Sequence, residues 1–371
     1  MAFTPEPLIP GDLYDGAARL AKQAVQELSR LRDPADRASA LGRLWQQVLD
    51  LQWPMLMLPE AAGGADGTLD DLMALIDGAA RDALPLPLAA MCGVAPVLLA
   101  AADPAAARGL AADGLAPCPV LDAFAGWRVA GKAPHASKMP DGRLRLDGAA
   151  IAVETPFNAE AYLVACPLDD NGAIEPALLL VRREQLSQPP RLFERVDGRL
   201  AADLSFAGLV LPAASLLGQG PAVGRSAAAA LDLGAFLSCV EAQAALGTAL
   251  EMVIAYLSDR KQFGAALSSF QALRHKVAEL YVVYETLRAT VVHLLHAAGS
   301  TGSLPPREVA LAKMHFGRST RRAAEKIIQL HGGMGMTEEL PATHLNKRLV
   351  MVEFEYGDTA WHARQLLRDA A

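Results

Sequence analysis

A chain of 371 residues is long enough for two or three domains with cores of their own. Hydrophobic residues make up 52% of it and charged residues 20%, a balance that excludes a disordered chain. The net charge of −7, with Lys and Arg scattered rather than grouped, argues against nucleic acid as a partner, because a phosphate backbone attracts basic surfaces.

Cys92, Cys118, Cys166 and Cys239 are far apart and have neither disulfide-framework nor zinc spacing. They read as small buried hydrophobes in a reducing compartment. The first residues, "MAFTPEPLIPGDLYDG", lack the basic and apolar regions of a signal peptide. The apolar stretches, broken by Asp, Gly or Pro, read as too short to span a bilayer. The expectation is a cytoplasmic protein with no membrane partner.

Residues 1–112 are expected to form a helical domain. In "GAARLAKQAVQELSRL" and "ASALGRLWQQVLDL", Ala and Leu recur at three- and four-residue steps. A Gly-rich loop follows, then a helix for which Thr68 is the N-cap, with Asp71 three residues on. Residues 113–220 change texture. Prolines and glycines punctuate short runs, among them "WRVAG", "GRLRLDGAAIAV", "AYLVACPL", "ALLLVRRE" and "ADLSFAGLVLP". Arg143 to Leu146 alternates polar and apolar, the period of a half-buried strand. Closely spaced strands predict a small β-barrel or sandwich.

Residues 221–371 are helical again. Leu233, Leu237, Val240, Ala244, Leu250 and Ile254 track one face of a long helix. Val277, Leu280, Tyr284, Leu287, Val291 and Leu294 track a second, in which the Tyr284 hydroxyl needs a partner if buried. A third run, "PREVALAKMHFGRSTRRAAEKIIQLHGG", has Pro near its start and Gly at its end. Long helices with short links imply a bundle. The order is α, β, α, an α+β chain.

Generic catalytic motifs are missing. "GGMGMTEE" lacks dinucleotide-fingerprint spacing, and His293 and His296, one turn apart, have no third metal ligand nearby in sequence. Two stretches carry more. In "YLSDRKQFGAALSSFQALRHKVAEL" a helix ends near Arg260, a turn passes Gly264, and a new helix starts near Ser268 or Ser269. Arg260 and Lys261 there suit a helix C-terminus. In "EKIIQLHGGMGMTEELPATHLNKRL" the double glycine is either a C-cap or a place where a flat ligand approaches the backbone.

Together they resemble the acyl-CoA dehydrogenase family. The match is R-K-x-F-G-x(6)-Q, at Arg260, Phe263, Gly264 and Gln271, followed at the family's separation by Q-L-H-G-G-x-G-M-T from Gln329 to Thr337. The resemblance implies an N-terminal helical domain, a middle β-barrel domain and a C-terminal four-helix bundle. It also implies an FAD flavoprotein that removes the α-proton of an acyl-CoA thioester and passes the β-hydride to the flavin, with electron-transfer flavoprotein as acceptor. In the family these motifs reach across a subunit interface. Arg260 would hold the pyrophosphate of a neighbour's FAD, and Phe263 would pack on the cofactor. Gln271, Gln329, Gly332 and Gly333 would hold its adenosine side.

The chain also departs from the family. No Thr-Glu-Pro-like segment precedes the strands, where "PCPVLDAFAGWRV" stands instead. Against the element Gly-x-Lys-x-Trp-Ile-Thr, "GAAIAVET" puts Ala150, Ala152 and Glu154 at the Lys, Trp and Thr positions, with Thr155 one residue off. This subunit's own FAD half-site is therefore expected to be degenerate. The catalytic glutamate position falls on Tyr356 and its alternative on Gly234. The tail "EFEYGDTAWH" resembles small subunits of pimeloyl-CoA and steroid acyl-CoA dehydrogenases, several of which form α2β2 heterotetramers. It leaves Asp358 as candidate base or as the cap of the last helix. The chain is expected to be a heteromeric subunit completing a partner's FAD site, for a bulky, dicarboxylic or branched acyl-CoA. A homo-oligomer using Asp358 and a non-catalytic scaffold are the alternatives.

Overall fold

The computed structural model describes residues 3–125, 133–299 and 302–368. Helices α1 (Asp12–Leu28), α2 (Pro34–Asp50) and α3 (Leu69–Ala80) come first. A wide π-type turn, Ala89–Val94, runs into α4 (Ala95–Leu99), and α5 (Pro104–Ala112) follows. Thr68 caps α3 as its sequence predicts: Asp71 N donates to Thr68 Oγ1 at 3.2 Å, and Thr68 N donates to Asp71 Oδ2 at 2.8 Å. This reciprocal pair satisfies two otherwise orphaned backbone donors.

The strand region begins with β1 (Cys118–Val120), the short α6 (Asp122–Ala125), β2 (His135–Lys138), β3 (Leu144–Asp147) and β4 (Ala149–Glu154). It continues with β5 (Ala161–Asp170), β6 (Ala173–Arg182), β7 (Arg191–Glu194), β8 (Leu200–Ser205), β9 (Leu209–Leu211) and β10 (Leu216–Gln219). Two sheets result, one running β10-β6-β5-β2-β3-β9 with β1 added parallel to β5, the other β4-β8-β7. The β5–β6 hairpin turns on Asn171 (φ 55°) and Gly172 (φ 90°), the two left-handed residues of a tight turn matched to strand twist. β3 buries Leu144 and Leu146 and exposes Arg145, the alternation its sequence shows. The expected run "WRVAG" lies outside the described residues.

The C-terminal half is α7 (Pro221–Asp259), the two-residue strands β11 (Lys261–Gln262) and β12 (Ala265–Ala266), α8 (Gln271–Ala298) and α9 (Pro306–His331). It ends with α10 (Pro341–Met351) and α11 (Thr359–Arg368). α7 corrects two expectations. Its 39 residues are long and apolar enough to cross a bilayer, but 94% of the apolar window is buried inside the protein. It also has no single apolar face, since every residue from Leu233 to Gly247 is buried. A helix that is apolar all round belongs in the middle of a core, and α3, α8, α9 and α10 surround this one. α8 keeps its one-sided stripe, with Leu280, Tyr284, Leu287, Val291 and Leu294 buried. Gln243 Nε2, on α7, donates to the Tyr284 hydroxyl at 3.3 Å. α8 starts at Gln271, two to three residues later than its sequence predicts, because a hairpin and a single 3-10 turn, Leu267–Ser269, intervene.

Candidate functional site

The six residues matched to cofactor binding gather at one end of the helical bundle, where the Tyr256 ring of α7 lies 4.9 Å from the His331 ring of α9. Arg260 follows α7 directly, and its carbonyl accepts from Leu267 N at 2.9 Å, closing the hairpin. Phe263 (φ 52°) and Gly264 (φ 79°) form the turn. It holds the Phe263 ring 93% exposed, edge-on to Phe270 at 6.3 Å. Arg260, Gln271 and Gln329 are exposed, and Arg260 makes no ion pair among the described residues. Gly332 (φ 60°) needs to be glycine for its conformation. A Cβ on Gly333 would meet nothing within 4 Å, so internal packing does not account for the second glycine. An uncommitted guanidinium, an outward aromatic ring, two amides and a bare backbone suit a flat, phosphate-bearing ligand arriving from outside.

The chain's own cavity is different. It lies between β4, the π-type turn Ala89–Val94, α7 and the loop before α11, and it is lined by Val94, Asp122, Glu154, Arg195, Glu355 and Tyr356 among others, with a volume of about 50 Å³. That admits water, whereas small-molecule pockets run to roughly 300–1,000 Å³. A buried ion network closes it. Arg199 donates to Glu154 Oε1 at 2.9 Å and to Glu241 Oε1 at 2.6 Å. Arg348 donates to Asp197 at 2.9 Å and to Glu355 Oε1 at 2.6 Å, and it also binds Glu241. Arg195 pairs with Glu355 and, at 3.2 Å, with Asp197. Burial opposes the charge of Glu355, but Arg348 and Arg195 outweigh it and hold the carboxyl well below the usual range. Burial pushes Glu154 up, only partly offset by Arg199 and Arg195.

Tyr356 and Gly234, the two positions where the family pattern places a glutamate, touch each other. A Cβ on Gly234 would lie 2.3–2.7 Å from Tyr356 ring carbons, so the ring uses the space that the missing side chain leaves. Gly234→Ala should therefore destabilise the fold by about 1–3 kcal/mol, the usual cost of overpacking, although Ala is the better helix former. In a Tyr356→Ala background the penalty should vanish, and urea midpoints of the four proteins check this.

Around Tyr356 the loop is moored on both sides. The Lys313 ammonium donates to the carbonyls of Val352 at 2.6 Å, Gly357 at 3.1 Å and Glu353 at 3.4 Å, and burial lowers its pKa to about 8. His362 Nε2 donates to the Tyr356 carbonyl at 3.1 Å, and burial pushes that imidazole down to about 4. Asp358 caps α11: its Oδ1 accepts from Trp361 N at 2.7 Å. It does not line the cavity. Its neighbours Gly357 and Thr359 lie beside Lys313 and Gly317 of α9, about 18–24 Å along that helix from Gln329 at 1.5 Å per residue, so the structure does not bring it together with the other six.

Thr155, one residue off the family's flavin-side threonine, turns into the core, donating to the Pro156 carbonyl at 3.1 Å beside Cys118. Two wider grooves of about 810 and 330 Å³ meet at Ala228 and Asp232 of α7, and neither is lined by Glu154, Arg195 or Tyr356. Fitting a tricyclic flavin into the chain's own cavity would require displacing the ion network, so that half-site does not fit FAD. The exposed half-site does fit part of one.

Sequence reasoning missed the network. Its signals were a lone Glu241 inside the apolar run "SCVEAQAAL" and the alternation Arg195, Asp197, Arg199.

Residues 224–371 match the acyl-CoA dehydrogenase C-terminal domain family. The acyl-CoA dehydrogenase IpdE2 of Mycobacterium tuberculosis is 29% identical over 290 residues, 76% of this chain and 72% of that protein. Among solved structures, the ChsE4–ChsE5 complex of Mycobacterium tuberculosis superposes with a TM-score of 0.79 at 19% identity, covering 98% of this chain and 99% of the other. A variant of the Tcur3481–Tcur3483 steroid ACAD superposes with a TM-score of 0.76 at 23% identity, with 96% of each chain covered. The motifs, the matched C-terminal domain, the relative and the shared fold agree: residues 224–371 belong to the acyl-CoA dehydrogenase C-terminal domain family, and the chain as a whole is similar to acyl-CoA dehydrogenases.

Proposed function

We propose that this chain is a subunit of a heteromeric, FAD-dependent acyl-CoA dehydrogenase, and that it completes the cofactor site of an unlike partner. One observation carries this: the donor residues Arg260, Phe263, Gln271, Gln329, Gly332 and Gly333 stand ready on the surface, while the chain's own cavity is closed by buried ion pairs. In a pair of identical chains the cavity at the family's flavin position would be closed in both. Two similar folds, ChsE4–ChsE5 and Tcur3481–Tcur3483, come from two-component assemblies, which supports the same reading. FAD in the partner would supply the hydride acceptor for the β-carbon of an acyl-CoA. This chain would clamp its pyrophosphate through Arg260, shield it with Phe263, and leave the proton abstraction to the partner. A bulky acyl group such as a steroid side chain is the substrate class that the Tcur3481–Tcur3483 likeness favours, and electron-transfer flavoprotein is the acceptor by family analogy.

The visible spectrum tests the reading. The chain purified alone should be colourless, and yellow once co-expressed with an acyl-CoA dehydrogenase chain that supplies an open FAD half-site. A yellow chain on its own would favour the homo-oligomer using Asp358, the weaker reading here because Asp358 caps α11. A colourless pair would favour a scaffold without cofactor contacts.

A further inference from the structure

α9 is basic in a chain of net charge −7. Arg307, Leu311, His315, Arg318 and Arg322 follow one another at steps of four, four, three and four residues. At 3.6 residues per turn they stay within about 80° of one another. Arg307, Leu311, His315, Arg318 and Arg322 are exposed, and Leu311 is 50% exposed. None of the four basic side chains has an ion-pair partner among the described residues, although neighbouring Arg321 and Lys326 do, with Glu353 and Glu279. Three and seven residues on from Arg322, the same face reaches Glu325 and the cofactor donor Gln329. At its other end α11 packs against α9 and adds exposed Arg364, Leu367 and Arg368.

This arrangement opposes self-pairing. In a two-fold dimer built on α9, the stripe would face its own copy, setting Arg318 and Arg322 against like charges at short range. A partner reaching Gln329 along this face therefore meets three arginines without ion-pair partners among the described residues, with Leu311 between the first two and Glu325 beyond the last. We propose that the α9 stripe is the docking face for the unlike subunit, and that the partner opposes it with an acidic surface. Steering by such a surface speeds encounter and selects against the homodimer. The inference rests on the heteromeric reading above and names the chemistry of that partner.

The test uses the chain co-expressed with the acyl-CoA dehydrogenase chain that turns it yellow and follows pairing by sedimentation. Reversing two charges, Arg318→Glu with Arg322→Glu, should weaken pairing at least tenfold while leaving the urea midpoint of the isolated chain unchanged. Arg318→Ala with Arg322→Ala should weaken it less. Raising salt should weaken the wild-type pair and barely affect the reversed one. Unchanged affinity on reversal, with Arg260→Ala still stripping flavin, would overturn the stripe and leave the donor role standing. Absence of any wild-type pair would overturn both.

Discussion

Truncating Arg348 to alanine is expected to lower stability by about 3–5 kcal/mol, the cost of removing one member of a buried ion pair. The guanidinium serves three carboxylates at once, those of Asp197, Glu241 and Glu355, and Arg348 is 2% exposed. Its loss leaves buried negative charge that neither Arg195 nor Arg199 can neutralise alone. The same residues join three parts of the chain: the loop after β7, the middle of α7, and the segment from α10 to Glu355. The effect should therefore appear as a lower urea midpoint for the whole fold rather than as local fraying. The exposed Arg225→Ala is the control and should stay within about 0.5 kcal/mol of the parent. A midpoint for Arg348→Ala no lower than that of the control would show that the network does not bear on stability.

Arg260→Ala is the second large effect. In the proposed heteromeric assembly it should weaken flavin retention about 10- to 100-fold, as expected from losing charge-assisted hydrogen bonds of about 1.5–3 kcal/mol to a phosphate. Flavin released on ultrafiltration measures it directly. Arg260→Lys should lie in between, because an ammonium restores the charge without the two-pronged geometry. Arg260 is exposed and carries no ion pair among the described residues, so the isolated subunit should unfold at an unchanged urea concentration. Flavin retained at wild-type affinity by Arg260→Ala would remove the residue from the cofactor site.

Much of this was legible in the sequence, for physical reasons that differ by element. α8 announces itself because its buried stripe recurs at helical period and its other faces are polar. The α3 capping box needs only two residues three apart. The grouping of Arg260, Phe263, Gln271, Gln329, Gly332 and Gly333 at one end of the bundle was legible because these residues sit in two short motifs. The ion network was not, because its members come from β4, the β7–β8 loop, α7, α10 and the loop beyond, and only the folded chain brings them together. α7 misled for a related reason: a one-sided reading presumes a solvent face, and a helix enclosed by four others has none over its middle turns. Asp358 was read as either a base or a cap, and the hydrogen bond from Trp361 N places it at the start of α11.

The Phe263 turn has a consequence for how the protein is made. A ring 93% exposed on the hairpin tip, with Met336 76% exposed beyond α9, is apolar surface that a bound partner would cover. If the proposed heteromer holds, chain synthesised in excess of its partner would present that tip to chaperones and proteases. Cellular abundance of this subunit should then track the supply of the other, and balanced synthesis of the two becomes a condition for keeping either.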